Sequence, residues 1–209
     1  FEECPSPILS SKERQSIGEL SSQATKKLGY LGLGTIEYLY ENKEFYFIEM
    51  NTRLQVEHPI TEMVTGLDLV CEQIKIASGQ KMSFQQKDVV LSGHAIECRI
   101  NAEHSDNFLP SPGKINTYHP PGGPGVRVDS IVYQGYEVPP FYDSLVSKLI
   151  VYAKDRESCL MRTQRALEEF IIEPIDTSIE LHKKLIRNID IKNGNYTIKW
   201  LEEKFLPKL

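Results

Sequence analysis

One stretch of this chain constrains its structure more than any other: an aromatic and β-branched strand that runs directly into a cluster of polar side chains. Residues 45–59 read FYFIEMNTRLQVEHP, which places two glutamates, an asparagine, an arginine, a glutamine and a histidine close together. Strands usually end in turn residues such as glycine, asparagine or aspartate. This strand ends instead in groups that bind metals, anions and protons, which indicates a functional site supported by the rest of the chain.

The composition is typical of a soluble globular protein with one large domain or two small ones. The 209 residues are 40% hydrophobic and 25% charged, and the formal net charge of -5 argues against nucleic acid as a partner. No apolar run reaches the roughly 18 residues that a membrane helix needs. Cys4, Cys71, Cys98 and Cys159 are widely spaced, which argues against a structural zinc site. With no signal peptide, they predict reduced thiols in the cytoplasm, and Cys71 and Cys98 are expected in the core.

The start of the chain predicts a strand end followed by a helix. The sequence opens at Phe1 without an initiator methionine, which we interpret as a start in the middle of a larger structure. Ser10 and Glu13 have the spacing of a capping box, and apolar residues then recur at helical spacing as far as Gly29. These signals predict one amphipathic helix of about 18 residues.

A β-hairpin is predicted over residues 35–50, and two different turns fit its sequence. If the turn centres on Lys43, Glu37 lies directly opposite Glu49, roughly 5 Å apart at Cβ. If Asn42 and Lys43 form a tight two-residue loop instead, the register shifts by one residue, and the two glutamates face opposite sides of the hairpin.

The first register predicts a metal site, because two opposed carboxylates repel unless a cation lies between them. Asn51 follows Glu49 on the same face, two residues further along the strand. Two carboxylates and a carboxamide oxygen are hard ligands that suit Mg²⁺ or Mn²⁺. The alternative is that Glu37 and Glu49 are ordinary exposed strand residues.

Three polar side chains, those of Arg53, Gln55 and Glu57, alternate with less polar residues after the hairpin. If the backbone stays extended, all three face the same way. Arg53 offers a planar fork for a small oxyanion, and Glu57 is suited to act as a general base.

The next segment sets the expected domain boundary. Residues 61–79 carry an apolar stripe at helical spacing and predict one helix whose stripe faces the core. The polar connector at 81–92 is the best candidate for a boundary, and it divides the chain into residues 1–92 and 93–209.

The second part begins with a strictly alternating strand at 93–101, which has Arg99 on the face opposite its apolar residues. Strands followed by helices predict an antiparallel α+β fold. The further strands are expected at 114–118, 126–131 and 145–152, and the helices at 155–172, at 178–188 and in a short last segment through Trp200 and Phe205.

These strings resemble biotin carboxylase, a member of the ATP-grasp superfamily, over nearly the whole chain. The resemblance implies an α+β fold in which residues 1–92 form the second half of an ATP-grasp domain, a β-hairpin and antiparallel sheet with helices. Residues 93–209 would form the antiparallel biotin carboxylase C-terminal domain. The strings that carry it are Glu49–Pro59, GHAIECRINAE at 93–103, Phe108–Gly113, and Tyr142-Asp143-Ser144 followed by Lys148-Leu149.

The resemblance implies that Glu37, Glu49 and Asn51 hold metal ions, with the two glutamates beside the nucleotide. Two Mg²⁺ or Mn²⁺ ions would bridge the phosphates of ATP. This assignment selects the hairpin register that centres on Lys43.

The resemblance implies roles for a second group of residues. Arg53, Gln55 and the backbone of Val56 would bind bicarbonate, and Glu57 would remove its proton. Arg99 would bind biotin and stabilise its enolate. Arg53, Glu57 and Arg99 are therefore the expected catalytic residues.

The implied reaction is the carboxylation of biotin on a biotin carboxyl carrier protein, the first half-reaction of bacterial-type acetyl-CoA carboxylase in fatty-acid synthesis. The implied partners are ATP, bicarbonate, the carrier protein and the carboxyltransferase subunits, and the full-length protein would be a homodimer. A glycine-rich loop, phosphate-binding lysines and a His-x-Lys stretch of the family are missing from the sequence. We therefore expect this chain to be inactive alone and to expose apolar surface.

Three alternatives remain at this point. The chain could belong to a pyruvate or acyl-CoA carboxylase, or to another ATP-grasp ligase that joins a carboxylate to an amine. It could also be a non-catalytic fragment that serves association.

Overall fold

The computed structural model describes residues 1–208, which form two compact units. The hairpin unit is Ser6–Leu91, and the sheet unit combines Phe1–Pro5 with the chain from Ser92 onward. Both mix helices with antiparallel strands, so the α+β fold class is confirmed. Within residues 1–208, no helix is both long and apolar enough to cross a membrane.

Strands and helices follow one another along the whole of residues 1–208. The strands are β1 (Glu2–Cys4), β2 (Thr35–Glu41), β3 (Glu44–Asn51), β4 (His94–Asn101), β5 (Gly113–Lys114), β6 (Thr117–His119), β7 (Val126–Ser130), β8 (Glu137–Val138), β9 (Leu145–Ala153) and β10 (Ile171–Glu173). The helices are α1 (Ser11–Leu28), α2 (His58–Thr65), α3 (Leu69–Ala77), α4 (Arg156–Glu169), α5 (Ile179–Arg187) and α6 (Ile189–Asn193). Short 3₁₀ turns lie at Gln86–Asp88 and Leu206–Lys208, and a π-helical turn lies at Leu201–Phe205.

Helix α1 has the termini that the sequence predicts. Ser10 caps it, because its side chain accepts from the backbone N–H of Glu13 while the Glu13 carboxylate accepts from the Ser10 backbone. Gly29 ends the helix in the left-handed conformation, with φ 68°. The helix contacts the hairpin through a 2.9 Å hydrogen bond between the Ser21 and Tyr38 hydroxyls.

The hairpin combines features of both predicted turns. Asn42 and Lys43 form a tight two-residue turn with positive φ angles of 52° and 66°, so the predicted turn centred on Lys43 is wrong. A β-bulge in β3 then inserts one extra residue, Ile48, between Phe47 and Glu49. Beyond the bulge, the strands pair in the register that was predicted for a turn centred on Lys43. Glu37 is therefore directly opposite Glu49, as predicted.

The turn offers a test of this geometry, because Lys43 has a backbone conformation that glycine adopts more easily. We expect Lys43→Gly to raise the free energy of unfolding of the hairpin unit by about 0.5–1 kcal/mol. Lys43→Ala is the matched control, since it removes the charge and keeps the strain. Urea titrations of both variants check this prediction, and equal stabilities would contradict the two-residue turn.

The predicted helix at 61–79 is two helices. Gly66 ends α2 with φ 71°, and Asp68 caps α3 by accepting from the Cys71 backbone N–H at 2.7 Å. The predicted core-facing stripe of this segment is also wrong for α3, because Ile74 and Cys71 are exposed while Glu72 is buried.

The sheet unit is built on one antiparallel sheet with the strand order β1-β4-β9-β7. Alternating residues of β4 and β9 face a core that α4 and α5 complete. This core contains Ile96, Cys98, Ile100, Leu149, Val151, Cys159, Leu167 and Ile186.

The remaining predictions for the sheet unit need correction at its edges. The segment 114–118 is two strands, because β5 pairs with β8 and β6 pairs with β10. The helix predicted to reach residue 172 ends at Glu169, where the chain turns into β10. The sequence did not predict α6. The last predicted helix is a π-helical turn, and its last residue, Phe205, stacks on Trp200, which precedes the turn.

Candidate active site

The hairpin brings the three predicted metal ligands together at the end of β3. The Nδ2 atom of Asn51 donates to Glu37 Oε1 at 2.7 Å and to Glu49 Oε1 at 3.1 Å. The opposed carboxylates are therefore bridged by the positive end of an amide dipole. This contact depends on the bulge at Ile48, which turns both glutamates to the same face.

The donor set fits a hard divalent cation. Two carboxylates and one carboxamide oxygen are ligands that Mg²⁺ or Mn²⁺ accepts when phosphate oxygens and waters complete the shell. Among residues 1–208, no group of three or more histidine, cysteine, aspartate or glutamate side chains has the geometry of a metal site.

Arg53 and Gln55 join the same hydrogen-bond network. Arg53 Nη2 donates to Asn51 Oδ1 at 3.1 Å, and its Nη1 donates to the Leu54 carbonyl at 3.2 Å. Gln55 Nε2 donates to Glu37 Oε1 at 2.9 Å. One continuous network therefore links the predicted metal ligands to the predicted bicarbonate ligands.

The backbone turns before Glu57, so the extended conformation predicted as far as this residue is wrong. The backbone N–H and Nδ1 of His58 both approach the Gln55 carbonyl, at 3.3 and 2.8 Å. Val56 and Glu57 are half-buried in this turn, and Glu57 takes the N-cap position of α2. The turn places Glu57 next to the segment that holds Arg53 and Gln55.

Arg99 lies in the sheet unit, on β4, where its side chain is 39% exposed. Its Nε atom pairs with Glu2 Oε1 of β1 at 2.7 Å. The Arg99 carbonyl accepts from Ser178 Oγ at 2.9 Å and from His182 Nε2 at 2.8 Å. The strand, an ion pair and the start of α5 thus hold this residue.

Two family models match this chain. The family model of the biotin carboxylase C-terminal domain matches residues 97–203, more than half of the chain. The model of the carbamoyl-phosphate synthase L chain ATP-binding domain matches residues 1–85. The chain belongs to the biotin carboxylase family.

Individual biotin carboxylases support this membership. The biotin carboxylase of Pseudomonas aeruginosa is 55% identical over 204 residues, which are 98% of this chain and 45% of that protein. A pyruvate carboxylase subunit of Methanothermobacter thermautotrophicus is 53% identical over 204 residues, which are 97% of this chain and 42% of that protein. The chain thus spans less than half of the curated relatives that it matches.

A solved structure of the family confirms the fold. It is the biotin carboxylase domain dimer of the 2-oxoglutarate carboxylase of Hydrogenobacter thermophilus, in complex with MgADP, ADP and bicarbonate. The TM-score is 0.94 at 44% identity, and the match covers 96% of this chain and 45% of that one. The sequence resemblance to biotin carboxylase is therefore confirmed.

Sequence reasoning missed a buried cluster that fixes β1 in the sheet unit. The Glu3 carboxylate, 4% exposed, accepts from His94 Nε2 at 2.8 Å, from Arg156 Nε at 2.7 Å and from the Tyr196 hydroxyl at 2.5 Å. Burial acts to raise the pKa of Glu3, but these hydrogen bonds outweigh it and lower the pKa to about 2. These residues are up to 193 positions apart in sequence, so local patterns carried no signal for the cluster.

The support of Arg99 by His182 was also missed, and it makes a pH-dependent prediction. Burial lowers the pKa of His182 from 6.5 to about 3. The unfolded chain therefore takes up a proton below about pH 6.5 that the folded chain does not accept until about pH 3, so stability falls as the pH falls through this window. We expect His182→Gln, which keeps an N–H donor without titrating, to remove this part of the pH dependence. Urea unfolding at pH 7 and pH 5, followed by Trp200 fluorescence, checks it, and identical pH dependence in both proteins would refute it.

Proposed function

We propose that this chain is part of an enzyme that uses ATP and bicarbonate to carboxylate biotin on a biotin carboxyl carrier protein. The observation that carries the proposal is the continuous network from Glu37 through Asn51 to Arg53, because it joins hard metal donors to a guanidinium suited to an oxyanion. Family membership supports the same activity.

The metal-binding part of the site would consist of Glu37, Glu49 and Asn51. Two Mg²⁺ or Mn²⁺ ions bound with ATP would offset the negative charge on its phosphates. The carboxylates would fix the ions beside the nucleotide, and the carboxamide would contribute its oxygen. The 2-oxoglutarate carboxylase domain that binds MgADP supports magnesium as one such ion.

The reacting groups would be held by five further parts of the chain. Arg53, Gln55 and the backbone of Val56 bind bicarbonate, and Glu57 removes its proton so that an oxygen attacks the γ-phosphate of ATP. ADP leaves, and the resulting carboxyphosphate breaks down to CO₂ and phosphate. The released phosphate takes the proton of the biotin ureido N–H, Arg99 stabilises the enolate that remains, and the deprotonated nitrogen takes up the CO₂.

The proposal includes the organisation of the protein. Residues 1–92 would be the second half of an ATP-grasp domain and residues 93–209 the carboxylase C-terminal domain. In the hairpin unit the buried side chains are those of Pro59, Ile60, Val64 and Glu72, while Leu28 is 75% exposed. Exposed apolar surface of this kind supports packing against the part of the related proteins that this chain does not match. Without that part, the chain would be inactive.

The biological setting that we propose is the cytoplasmic biotin carboxylase subunit of bacterial-type acetyl-CoA carboxylase in fatty-acid synthesis. Its partners would be the carrier protein, the carboxyltransferase subunits and a second copy of the full-length protein. The dimer of the 2-oxoglutarate carboxylase domain supports the homodimer. A second candidate is the biotin carboxylase part of a pyruvate carboxylase, which the similarity to the Methanothermobacter thermautotrophicus protein favours.

Transfer of label from ¹⁴C-bicarbonate to biotin tests the activity directly. We expect labelled carboxybiotin only when ATP, Mg²⁺ and the full-length protein are present. Arg99→Ala should abolish the transfer, because the developing charge on biotin loses its partner. Undiminished transfer of label to biotin by Arg99→Ala would contradict this role of Arg99, and no labelled carboxybiotin from the unaltered full-length protein would instead favour another ATP-grasp ligase.

A further inference from the structure

The orientation of the Asn51 carboxamide is decided by its neighbours. Its Nδ2 atom faces Glu37 and Glu49, which only accept hydrogen bonds, and its Oδ1 atom faces Arg53, which only donates. The reverse orientation would place an oxygen against two carboxylates and an N–H against a guanidinium. The amide can satisfy all three neighbours in one orientation alone.

Coordination of a metal ion would reverse this orientation. An amide nitrogen has no lone pair available for a cation, so Asn51 can bind a metal only through Oδ1. When Oδ1 turns towards Glu37 and Glu49, Nδ2 turns towards Arg53. Two donors then face each other, and the hydrogen bond between Asn51 and Arg53 is lost.

Gln55 responds to the same event. Its Nε2 atom donates to Glu37 Oε1, the oxygen that Asn51 Nδ2 also approaches. A cation bound at that oxygen competes with the Gln55 N–H for the same lone pairs. Metal binding therefore frees an amide donor as well as a guanidinium, and both are donors that suit bicarbonate.

We propose that Asn51 is a positioning residue that couples the metal site to the bicarbonate site. Its carboxamide holds Arg53 until a metal ion takes the oxygen, and the reversal of the amide then releases Arg53 for the oxyanion. The inference rests on the proposed function and adds an order of events to it: bicarbonate binds tightly only after the metal. By linkage, bicarbonate tightens metal binding by the same factor.

Side-chain NMR of the 209-residue chain tests the proposal without an activity assay. Mg²⁺ is the probe, and the signals are the Asn51 Nδ2–H₂ group, the Arg53 Nε–H group and the carboxyl carbons of Glu37 and Glu49. We expect Mg²⁺ to shift all of them together, and bicarbonate to shift the Arg53 signal at a concentration about 5–150-fold lower when Mg²⁺ is saturating.

Two variants separate release of Arg53 from simple attraction between Mg²⁺ and the anion. Asn51→Ala leaves Arg53 without this acceptor, so we expect it to bind bicarbonate more tightly than the unaltered chain when Mg²⁺ is absent. Thr52→Ala, at the exposed neighbouring position, is the matched control and should bind as the unaltered chain does. Attraction between Mg²⁺ and bicarbonate predicts no gain in Asn51→Ala without the metal.

The possible results distinguish the inference from the function on which it rests. If Mg²⁺ shifts the Glu37 and Glu49 carboxyl signals while those of Asn51 and Arg53 stay in place, the coupling is wrong and the metal site stands. An unchanged Mg²⁺-free affinity in Asn51→Ala also overturns the coupling. If Mg²⁺ leaves both carboxyl signals unshifted, the metal assignment itself is rejected, and the inference is rejected with it.

Discussion

Glu3→Ala is expected to lower the free energy of unfolding of the sheet unit by about 3–5 kcal/mol, the typical cost of breaking a buried charged pair. The carboxylate receives hydrogen bonds from His94, Arg156 and Tyr196, and its removal leaves these donors without their buried acceptor. Because Glu3 lies on β1 while Tyr196 follows α6, the loss affects both ends of the unit. Chemical denaturation followed by Trp200 fluorescence measures the effect.

A control and a pH series sharpen this prediction. Glu169→Ala removes an exposed pair with Arg165, and exposed pairs contribute only about 0–1 kcal/mol. The depressed pKa of Glu3 means that its stabilisation is complete above about pH 4.5, the unfolded value, and is lost as the pH falls towards about 2. Glu3→Gln should lack this acid-dependent loss. A Glu3→Ala protein as stable as Glu169→Ala would contradict the account of the cluster.

Glu57→Gln is expected to lower the bicarbonate-dependent kcat by about 10²–10⁴-fold, the usual contribution of a positioned general base. Glutamine keeps the size of the side chain in the half-buried turn before α2 and removes its ability to take a proton. The fold should therefore persist while proton transfer from bicarbonate fails. Rates of ATP hydrolysis by the full-length protein at saturating bicarbonate measure the change.

The matched control is Glu44→Gln, an equal change at an exposed position at the start of β3. It should leave kcat unaltered, since Glu44 lies at the turn end of the hairpin. If Glu57→Gln retains the rate of Glu44→Gln, Glu57 is not the base and another group must remove the proton from bicarbonate.

The sequence predicted the elements that local patterns encode. The capping box of Ser10 and Glu13, the alternating strand β4 and the pairing of Glu37 with Glu49 all appear in the structure. The two-residue turn was predicted as one alternative but the bulge was missed, because each shifts the register by one residue and the two shifts cancel between Lys43 and Glu49. A pattern based on alternation alone cannot detect two compensating shifts.

Other features escaped prediction because apolar spacing reveals neither a local helix break nor a distant contact. Gly66 divides the segment at 61–79 into two helices, although its apolar spacing continues through the break. Likewise, β10 forms at the end of a helical pattern because β6 supplies a partner strand. The contact between His182 and the Arg99 carbonyl joins residues 83 positions apart, so that part of the candidate site became visible only in the fold.

Bicarbonate-dependent ATP hydrolysis, with and without free biotin, tests the central claim most directly. It is measured on the 209-residue chain alone and after assembly with the N-terminal part of the Pseudomonas aeruginosa biotin carboxylase that this chain does not match, with assembly verified by sedimentation. Our account predicts no hydrolysis by the chain alone and biotin-stimulated hydrolysis by the assembled pair. ATP hydrolysis by the chain alone would contradict it. So would an assembled pair whose rate of ATP hydrolysis does not change when bicarbonate and biotin are added.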